Sequence, residues 1–258
     1  MESLFSLEGK RAVITGGSRG LGLQIAEAFA RVGADLLITA RKHDELDAAA
    51  KSLAKLGAKV EIVSCDLMDD QSHEEIANAV ESALGGVDIL VNNAGSSWAE
   101  PAESHSLKGW YKVMELNVSA LFRLTQVLGQ THFLKQRSGK IINIASIGGI
   151  RGNRPDYKMH TIAYNTSKGA VVNFTRALAA EWGQYGVNVN CLCPGFFPSQ
   201  MSSALLDQIG EKYVAATPLQ RLGGDSDLFG PAIFLASDAS RYITGETIAV
   251  DGGMIACG

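Results

Sequence analysis

The chain holds 258 residues, a length that suits one large domain or two small ones and that can bury a sizeable core without disulfide staples. Hydrophobic residues reach 46% and charged residues 19%, the balance of a globular chain rather than a disordered one. The formal net charge is −4 and the pI about 5.8, which leaves no electrostatic case for nucleic acid or an anionic membrane as partner.

Short apolar runs alternate with longer stretches of helical spacing. Residues 11–15 read as a first strand ending in glycines, 21–31 as a helix and 35–40 as a second strand. A second helix at 44–55 has Leu46, Ala49, Ala50 and Leu53 in its apolar pattern. A third strand at 60–64, a third helix at 74–83 and a fourth strand at 87–92 follow. The spacing then predicts one long helical region over 107–133, a fifth strand at 140–145, a helix over 163–182 and a sixth strand at 187–193. Residues 198–224 read as polar, mobile chain, before a last helix at 227–236 and a last strand at 247–250. Ile89-Leu90-Val91 and Ile141-Ile142-Asn143-Ile144 are apolar runs of the kind that strands covered on both faces require. The alternation predicts an α/β fold: a parallel sheet with right-handed crossovers and helices on both faces. No linker or solenoid repeat divides it, so 1–258 is expected to form a single domain.

Cys65, Cys191, Cys193 and Cys257 form no C-x-x-C pair and read as reduced thiols of a cytosolic protein. Cys191 and Cys193 are too close on one strand for an ordinary bridge. The five histidines are scattered, and no metal site is expected. Glu2 stands where a secretory signal would be basic, and Arg123 breaks the longest apolar stretch, so neither a signal nor a membrane span is expected.

Thr15-Gly16-Gly17-Ser18-Arg19-Gly20-Leu21-Gly22 lies between the first strand and the first helix. Glycines there permit a tight turn and let backbone approach a pyrophosphate at the positive end of the helix. The spacing of Gly16, Gly20 and Gly22 is G-x-x-x-G-x-G, and its place directly after strand one favours a nucleotide loop over an ordinary glycine turn. An acid at the end of strand two would bind the ribose hydroxyls of NAD. Thr39-Ala40-Arg41-Lys42 offers none, and Asp44 lies too far into the next helix. Arg41, flanked by Arg19, can meet a 2′-phosphate, so NADP(H) is the expected cofactor; two solvated surface arginines are the plainer alternative. Asp66, with Leu67 beside it after strand three, is a candidate acceptor for the adenine amino group.

Tyr164-Asn165-Thr166-Ser167-Lys168 puts a phenol and an ammonium one helical turn apart on one face. A fixed positive charge favours the phenolate, so such a pair can give a proton to a ketone oxygen or take one from an alcohol near neutral pH. Ser146, at the end of strand five, lies between this pair and the glycine loop in the sequence.

Taken in order, Thr15–Gly22, Asn92-Asn93-Ala94-Gly95, Asn117, Ser146, Tyr164-x-x-x-Lys168, Pro194-Gly195 and Asp251-Gly252-Gly253 resemble the short-chain dehydrogenase/reductase family over essentially the whole chain. The resemblance implies a Rossmann-type doubly wound parallel seven-stranded sheet. It implies Tyr164 as acid or base, with Lys168 lowering the Tyr164 pKa and bonding the nicotinamide ribose. Ser146 would hold the substrate oxygen and Asn117 a water that relays protons to Lys168. It implies cofactor contacts from Gly16, Ser18, Arg19, Gly20, Leu21, Gly22, Asn93, Ala94, Gly95, Pro194 and Gly195. Asp251-Gly252-Gly253 reads as structural and near a subunit contact.

The chain departs from many family members in a longer link between Ser146 and Tyr164. The extra part, 152–160, is polar and holds Pro155 and Tyr157. Tyr157 is a poor rival for catalysis, because Thr161 stands four residues on. The family tends to form a substrate lid after Pro194-Gly195, here about 196–224. Phe196, Phe197, Met201 and Trp98 are candidates for an apolar pocket, or equally for core or subunit contacts. The two ends of the chain are similar to the gluconate 5-dehydrogenase branch, and other parts resemble 3-oxoacyl-(acyl carrier protein) reductases. Arg151, Arg154 and Lys158 could form a basic patch for an acyl carrier, or be solvated. Three functions are open: an NADPH-dependent carbonyl reductase acting on a 3-oxoacyl or similar ketone, a sugar-acid or polyol dehydrogenase, and a cofactor-binding protein without turnover. Intact Ser146, Tyr164 and Lys168 count against the last. By the same resemblance a homotetramer is expected, built through the helical regions 107–133 and 163–182.

Overall fold

The computed structural model describes residues 2–199 and 203–257. Among them, seven strands form one sheet in the order β3-β2-β1-β4-β5-β6-β7, all pairs parallel. The strands are β1 (Arg11–Thr15), β2 (Asp35–Ala40), β3 (Val60–Ser64), β4 (Ile89–Asn92), β5 (Gly139–Ile144), β6 (Val187–Pro194) and β7 (Thr247–Val250). The helices that matter here are α1 (Gly20–Arg31), α2 (His43–Ala54), α3 (Gln71–Ala79), α4 (Leu107–Met114), α5 (Leu121–Leu128), α6 (Ile162–Trp182), α7 (Ser203–Ala216) and α8 (Phe229–Ala236).

Both faces of the sheet are covered, which explains the apolar strand sequences. Within β1, Ala12 and Ile14 enter one core with Ile25 and Phe29 of α1 and Leu235 of α8. Val13 enters the opposite core with Leu37, Leu90, Leu124 of α5 and Phe133. Phe29 and Phe133 are fully buried, each stabilising the fold by roughly 1.5–3 kcal/mol through burial alone. The strand order reverses between β1 and β4. There the connections leave in opposite directions and a crevice opens beyond the carboxyl ends of the strands.

One expectation about helices is refined and one is corrected. Residues 107–133 are helical throughout, but α4 and α5 are separated by a π-helical turn, Glu115–Ala120, and a second one, Gly129–Phe133, follows α5. A wider turn re-phases the faces on either side of it and is common where a side chain must be aimed; Asn117 sits in the first. The stretch 198–224 is not merely irregular, since it contains α7, whose Ile209 and Tyr213 are buried in a third core with Val171 and Cys193. Polar composition concealed an element with one apolar stripe. Met201 lies outside the described residues.

Candidate active site

The glycine loop is held open by its neighbours. The Thr15 hydroxyl accepts from the backbone N–H groups of Asn93 and Ala94, both at 3.0 Å. The Asn93 amide donates to the carbonyls of Thr15 at 2.8 Å and Gly16 at 3.2 Å. Asn93 thus ties the end of β4 to the loop after β1, and its side chain is a strut. Gly16 and Gly20 have φ of +64° and +56°, backbone that L-residues with a Cβ seldom adopt. A Cβ on Gly22 would lie 2.3 Å from the Gly16 carbonyl oxygen, so α1 can start this close to β1 only with glycine there. The N-cap position of α1 is Arg19, which makes no side-chain cap. The first N–H groups of α1 therefore lack the usual capping oxygen and project beyond the sheet edge, the chemistry that suits a pyrophosphate. Ser18 is buried in the same turn, and Leu21 reaches the cavity described below.

The next strand end bears the cations. Arg41 is exposed just beyond β2, and its carbonyl accepts from the Ser64 hydroxyl. Thr15 and Thr39 are paired in register and Gly17 N–H donates to Thr39 O at 3.0 Å, so Arg19 and Arg41 leave the sheet from adjacent strands. Glu45, in the first turn of α2, accepts from Lys42 at 2.7 Å and from Arg19 at 3.4 Å. Asp66 accepts from Met68 N–H at 3.0 Å and stands with buried Leu67 past β3, on the same edge.

The three reaction-centre residues meet at the ends of β5 and α6. Ser146 follows β5, where its hydroxyl accepts from Gly148 N–H at 3.0 Å. Tyr164 lies deep in the site, where burial raises its phenol pKa; hydrogen bonding with Ser146 acts in the opposite direction. Lys168 is 5% exposed, donates to the Ile144 carbonyl at 2.7 Å, and lies 5.7 Å from the Tyr164 ring centroid. Burial pulls its pKa down to about 8. Burial thus sets the direction of the Tyr164 shift, and Lys168 donates to a backbone carbonyl.

Asn117 is fully engaged as a donor. Its Oδ1 accepts from Ser96 N–H at 2.8 Å, and its Nδ2 donates to Ser96 O and to Ser167 Oγ, both at 2.9 Å. It fastens the segment after β4 to α6, one residue before Lys168. Gly95 completes this corner, since a Cβ there would stand 3.2 Å from Asn117 Oδ1 and 3.5 Å from Lys168 Nζ. Pro194 ends β6. Gly195 N–H donates to Val250 O, and a Cβ on Gly195 would lie 2.9 Å from the Asp251 Cα and 3.0 Å from the Tyr213 hydroxyl. Asp251 accepts from the backbone N–H groups of Gly253 and Ile255, so the Asp-Gly-Gly turn is a support for this corner.

A cavity opens beside Ser146 and Tyr164. Phe196 and Phe197 line it, Phe197 being also part of a core, with Tyr213 and Leu205 of α7 and Met159 and Tyr157 of the longer link. Phe196 and Tyr213 meet edge to face, ring centroids 4.5 Å apart. Part of the lining is a polar wall: Asn153 donates to Thr161 Oγ1, which donates to Asn165 Oδ1, both at 2.9 Å. Trp98 is placed elsewhere, packed over Gly109 at the start of α4 with Lys112 above its ring. The basic patch is not assembled as a free surface. Arg151 donates to Met254 O at 3.0 Å and Arg154 pairs with Asp156 at 3.1 Å. Sequence reasoning missed Tyr213, Asn153, Asn165 and Glu45, none of which belongs to a spaced motif.

The enoyl-(acyl carrier protein) reductase family matches residues 16–255. The gluconate 5-dehydrogenase of Gluconobacter oxydans is 36% identical over 254 residues, covering 97% of this chain and 96% of the relative. The 3-oxoacyl-(acyl-carrier-protein) reductase FabG of Aquifex aeolicus is 35% identical over 249 residues, covering 96% and 98%. The crystal structure of a gluconate 5-dehydrogenase from Burkholderia cenocepacia, in complex with NADP and tartrate, superposes with a TM-score of 0.92 at 32% identity, covering 99% of this chain and 98% of that one. With full-length relatives and the Ser146–Tyr164–Lys168 arrangement at the carboxyl edge of a parallel sheet, the chain belongs to the short-chain dehydrogenase/reductase family of oxidoreductases.

Proposed function

We propose that the protein is an NADPH-dependent carbonyl reductase, working in reverse as an alcohol dehydrogenase, on a compact ketone. The observation that carries this reading is that Ser146 and Tyr164 line one cavity, backed by buried Lys168 and entered alongside the uncapped start of α1. The glycine loop, Gly95 and Gly195 leave backbone close to this cleft with no side chain in the way, which suits a dinucleotide. Arg19 and Arg41 at the ends of adjacent strands, and the lack of an acid at the end of β2, favour a 2′-phosphate. The Burkholderia relative solved with NADP supports the same choice.

When bound, NADPH supplies hydride to the carbonyl carbon. Tyr164 gives its phenol proton to the carbonyl oxygen as charge builds there, and in oxidation takes it back. A phenol pKa raised by burial keeps that proton in place until the oxygen needs it. Ser146 Oγ holds the same oxygen by a hydrogen bond. Lys168, with a pKa of about 8, can lend a proton toward Tyr164 and turn its remaining N–H donors to the ribose. Asn117 holds the corner rigid, with its remaining acceptor capacity for a water. Residues 196–224, carrying Phe196, Phe197 and Tyr213, close over the substrate as part of a single domain. Paired Arg151 and Arg154 weaken the acyl-carrier form of the reading. A second substrate class, sugar acids or polyols, is favoured by the Asn153–Thr161–Asn165 wall and the gluconate 5-dehydrogenase relative.

A cytoplasmic homotetramer fits two features. Leu107 and Tyr111 of α4, Phe122 of α5 and Ile162 of α6 are exposed apolar side chains on the helices expected at the subunit contact. Cys191 and Cys193, buried and unbridged, suit a reducing compartment. The test of function is nicotinamide absorbance with NADPH or NADH and three ketones: a 3-oxoacyl thioester, 5-ketogluconate and a bulky aryl ketone. NADPH consumption with one of them, and far less NADH consumption, is the expected result. Equal use of NADH overturns the cofactor choice, and tight cofactor binding without turnover of any ketone overturns the reductase reading.

A further inference from the structure

Of the cations Arg19, Arg41 and Lys42 at this corner, two already have an anion beside them. Glu45 lies between two of them, 2.7 Å from Lys42 Nζ and 3.4 Å from Arg19 Nη1. It is also the most sheltered of the three, with its side chain 26% exposed against 64% for Lys42 and 50% for Arg19. The two bonds come from different elements. Lys42 precedes α2, whereas Arg19 precedes α1 and belongs to the glycine loop. Glu45 is placed in the first turn of α2, where the helix dipole favours an anion. A carboxylate therefore occupies the place between cations where a phosphate of the same charge sign would be received.

We propose that Glu45 sets the cofactor preference of this enzyme by acting as a built-in competitor for the 2′-phosphate of NADP(H). The inference rests on the dinucleotide reading of the cleft. Binding the phosphoryl group requires Arg19 and Lys42 to exchange a carboxylate for a phosphate, and it leaves Glu45 close to a second anion. Both effects weaken NADP(H) and neither touches NAD(H), which has a hydroxyl at that position. Glu45 narrows the selectivity that Arg19 and Arg41 would otherwise confer.

The test is titration of the purified protein with NADPH and with NADH, following nicotinamide fluorescence, for the wild type, Glu45→Gln and Asp44→Asn. Asp44 is an exposed acid in the same helical turn and serves as a control for net charge. Glu45→Gln is expected to tighten NADPH binding about three- to tenfold at low salt and to leave NADH unchanged. The gain is expected to shrink as salt rises, because the groups are exposed. Asp44→Asn is expected to do much less. An unchanged or lower NADPH-to-NADH preference in Glu45→Gln overturns the proposal, and so does an equal effect of Asp44→Asn. If wild-type protein binds neither dinucleotide, the functional reading itself falls and this inference with it. Binding of both with no shift in preference removes only the role of Glu45.

Discussion

The two ends of the cleft are built from different parts of the chain's chemistry. The cofactor end is made of backbone: a loop with two left-handed glycines, the uncapped start of α1, and Asn93 and Thr15 bonded across β1 and β4. The substrate end is made of side chains gathered from distant segments. Phe196 and Phe197 follow β6, Tyr213 is on α7, and Asn153, Tyr157 and Met159 belong to the longer link before α6. The first kind of site tolerates few substitutions and varies little in shape. The second can be re-lined one residue at a time without disturbing the fold, so relatives with the same chemistry can take different substrates.

Replacing the reacting group should give the largest effect and should separate the two ends cleanly. Tyr164→Phe is expected to lower kcat by about 10²–10⁴-fold while NADPH affinity stays within a few-fold, read by steady-state rates beside fluorescence titration. Loss of cofactor binding in parallel would mean that the ends are not independent. The glycine contrast comes next. Gly22→Ala puts a methyl against Gly16 O and Asn93 Nδ2 and should cost about 1–3 kcal/mol in chemical denaturation, with a matching loss of cofactor affinity. Gly152→Ala, in the longer link, meets nothing within 4 Å and should stay within about 0.5 kcal/mol of wild type.

Lys168 joins the two ends and leaves a signature in pH. Burial holds its folded-state pKa at about 8, below the 10.5 of a free lysine. Between those values the unfolded chain keeps a proton that the folded protein has lost, so this group makes stability rise with pH across that window. The denaturation midpoint of wild type minus that of Lys168→Met should therefore rise from pH 8 to pH 10.5. A flat difference would remove the buried-ammonium description. The smallest expected effect is at the polar wall. Asn153→Ala removes the bond to Thr161 and should raise the ketone KM a few-fold, about 1 kcal/mol, with cofactor KM unchanged.

Legibility in the sequence followed the same division. The seven strands, the glycine loop, Tyr164 and Lys168 could be placed because each obeys a local rule of period, turn geometry or helical spacing. Asn117 was found through its place in a family pattern, but its π-helical setting was not, since no residue in Glu115–Ala120 marks a wider turn. Trp98 looked like a pocket residue because it follows the Asn-Asn-Ala-Gly segment; the shape of Gly109 draws it to α4 instead. Residues 198–224 concealed α7 because a helix with one apolar stripe and many polar residues resembles a surface loop in composition.

What the sequence alone determined is the order of strands and helices, the loop that suits a dinucleotide and the pair that suits proton transfer. These depend on neighbours within a few residues, where backbone sterics and helical period act directly. Only the tertiary structure decided that Glu45 stands between Arg19 and Lys42, that Lys168 is turned to Ile144, and that Tyr213 packs edge to face on Phe196. Apart from Lys42 and Glu45, which are three residues apart, those contacts join residues 17 to 26 apart in sequence. Packing of whole elements against the sheet fixes such distances, and no local propensity encodes them.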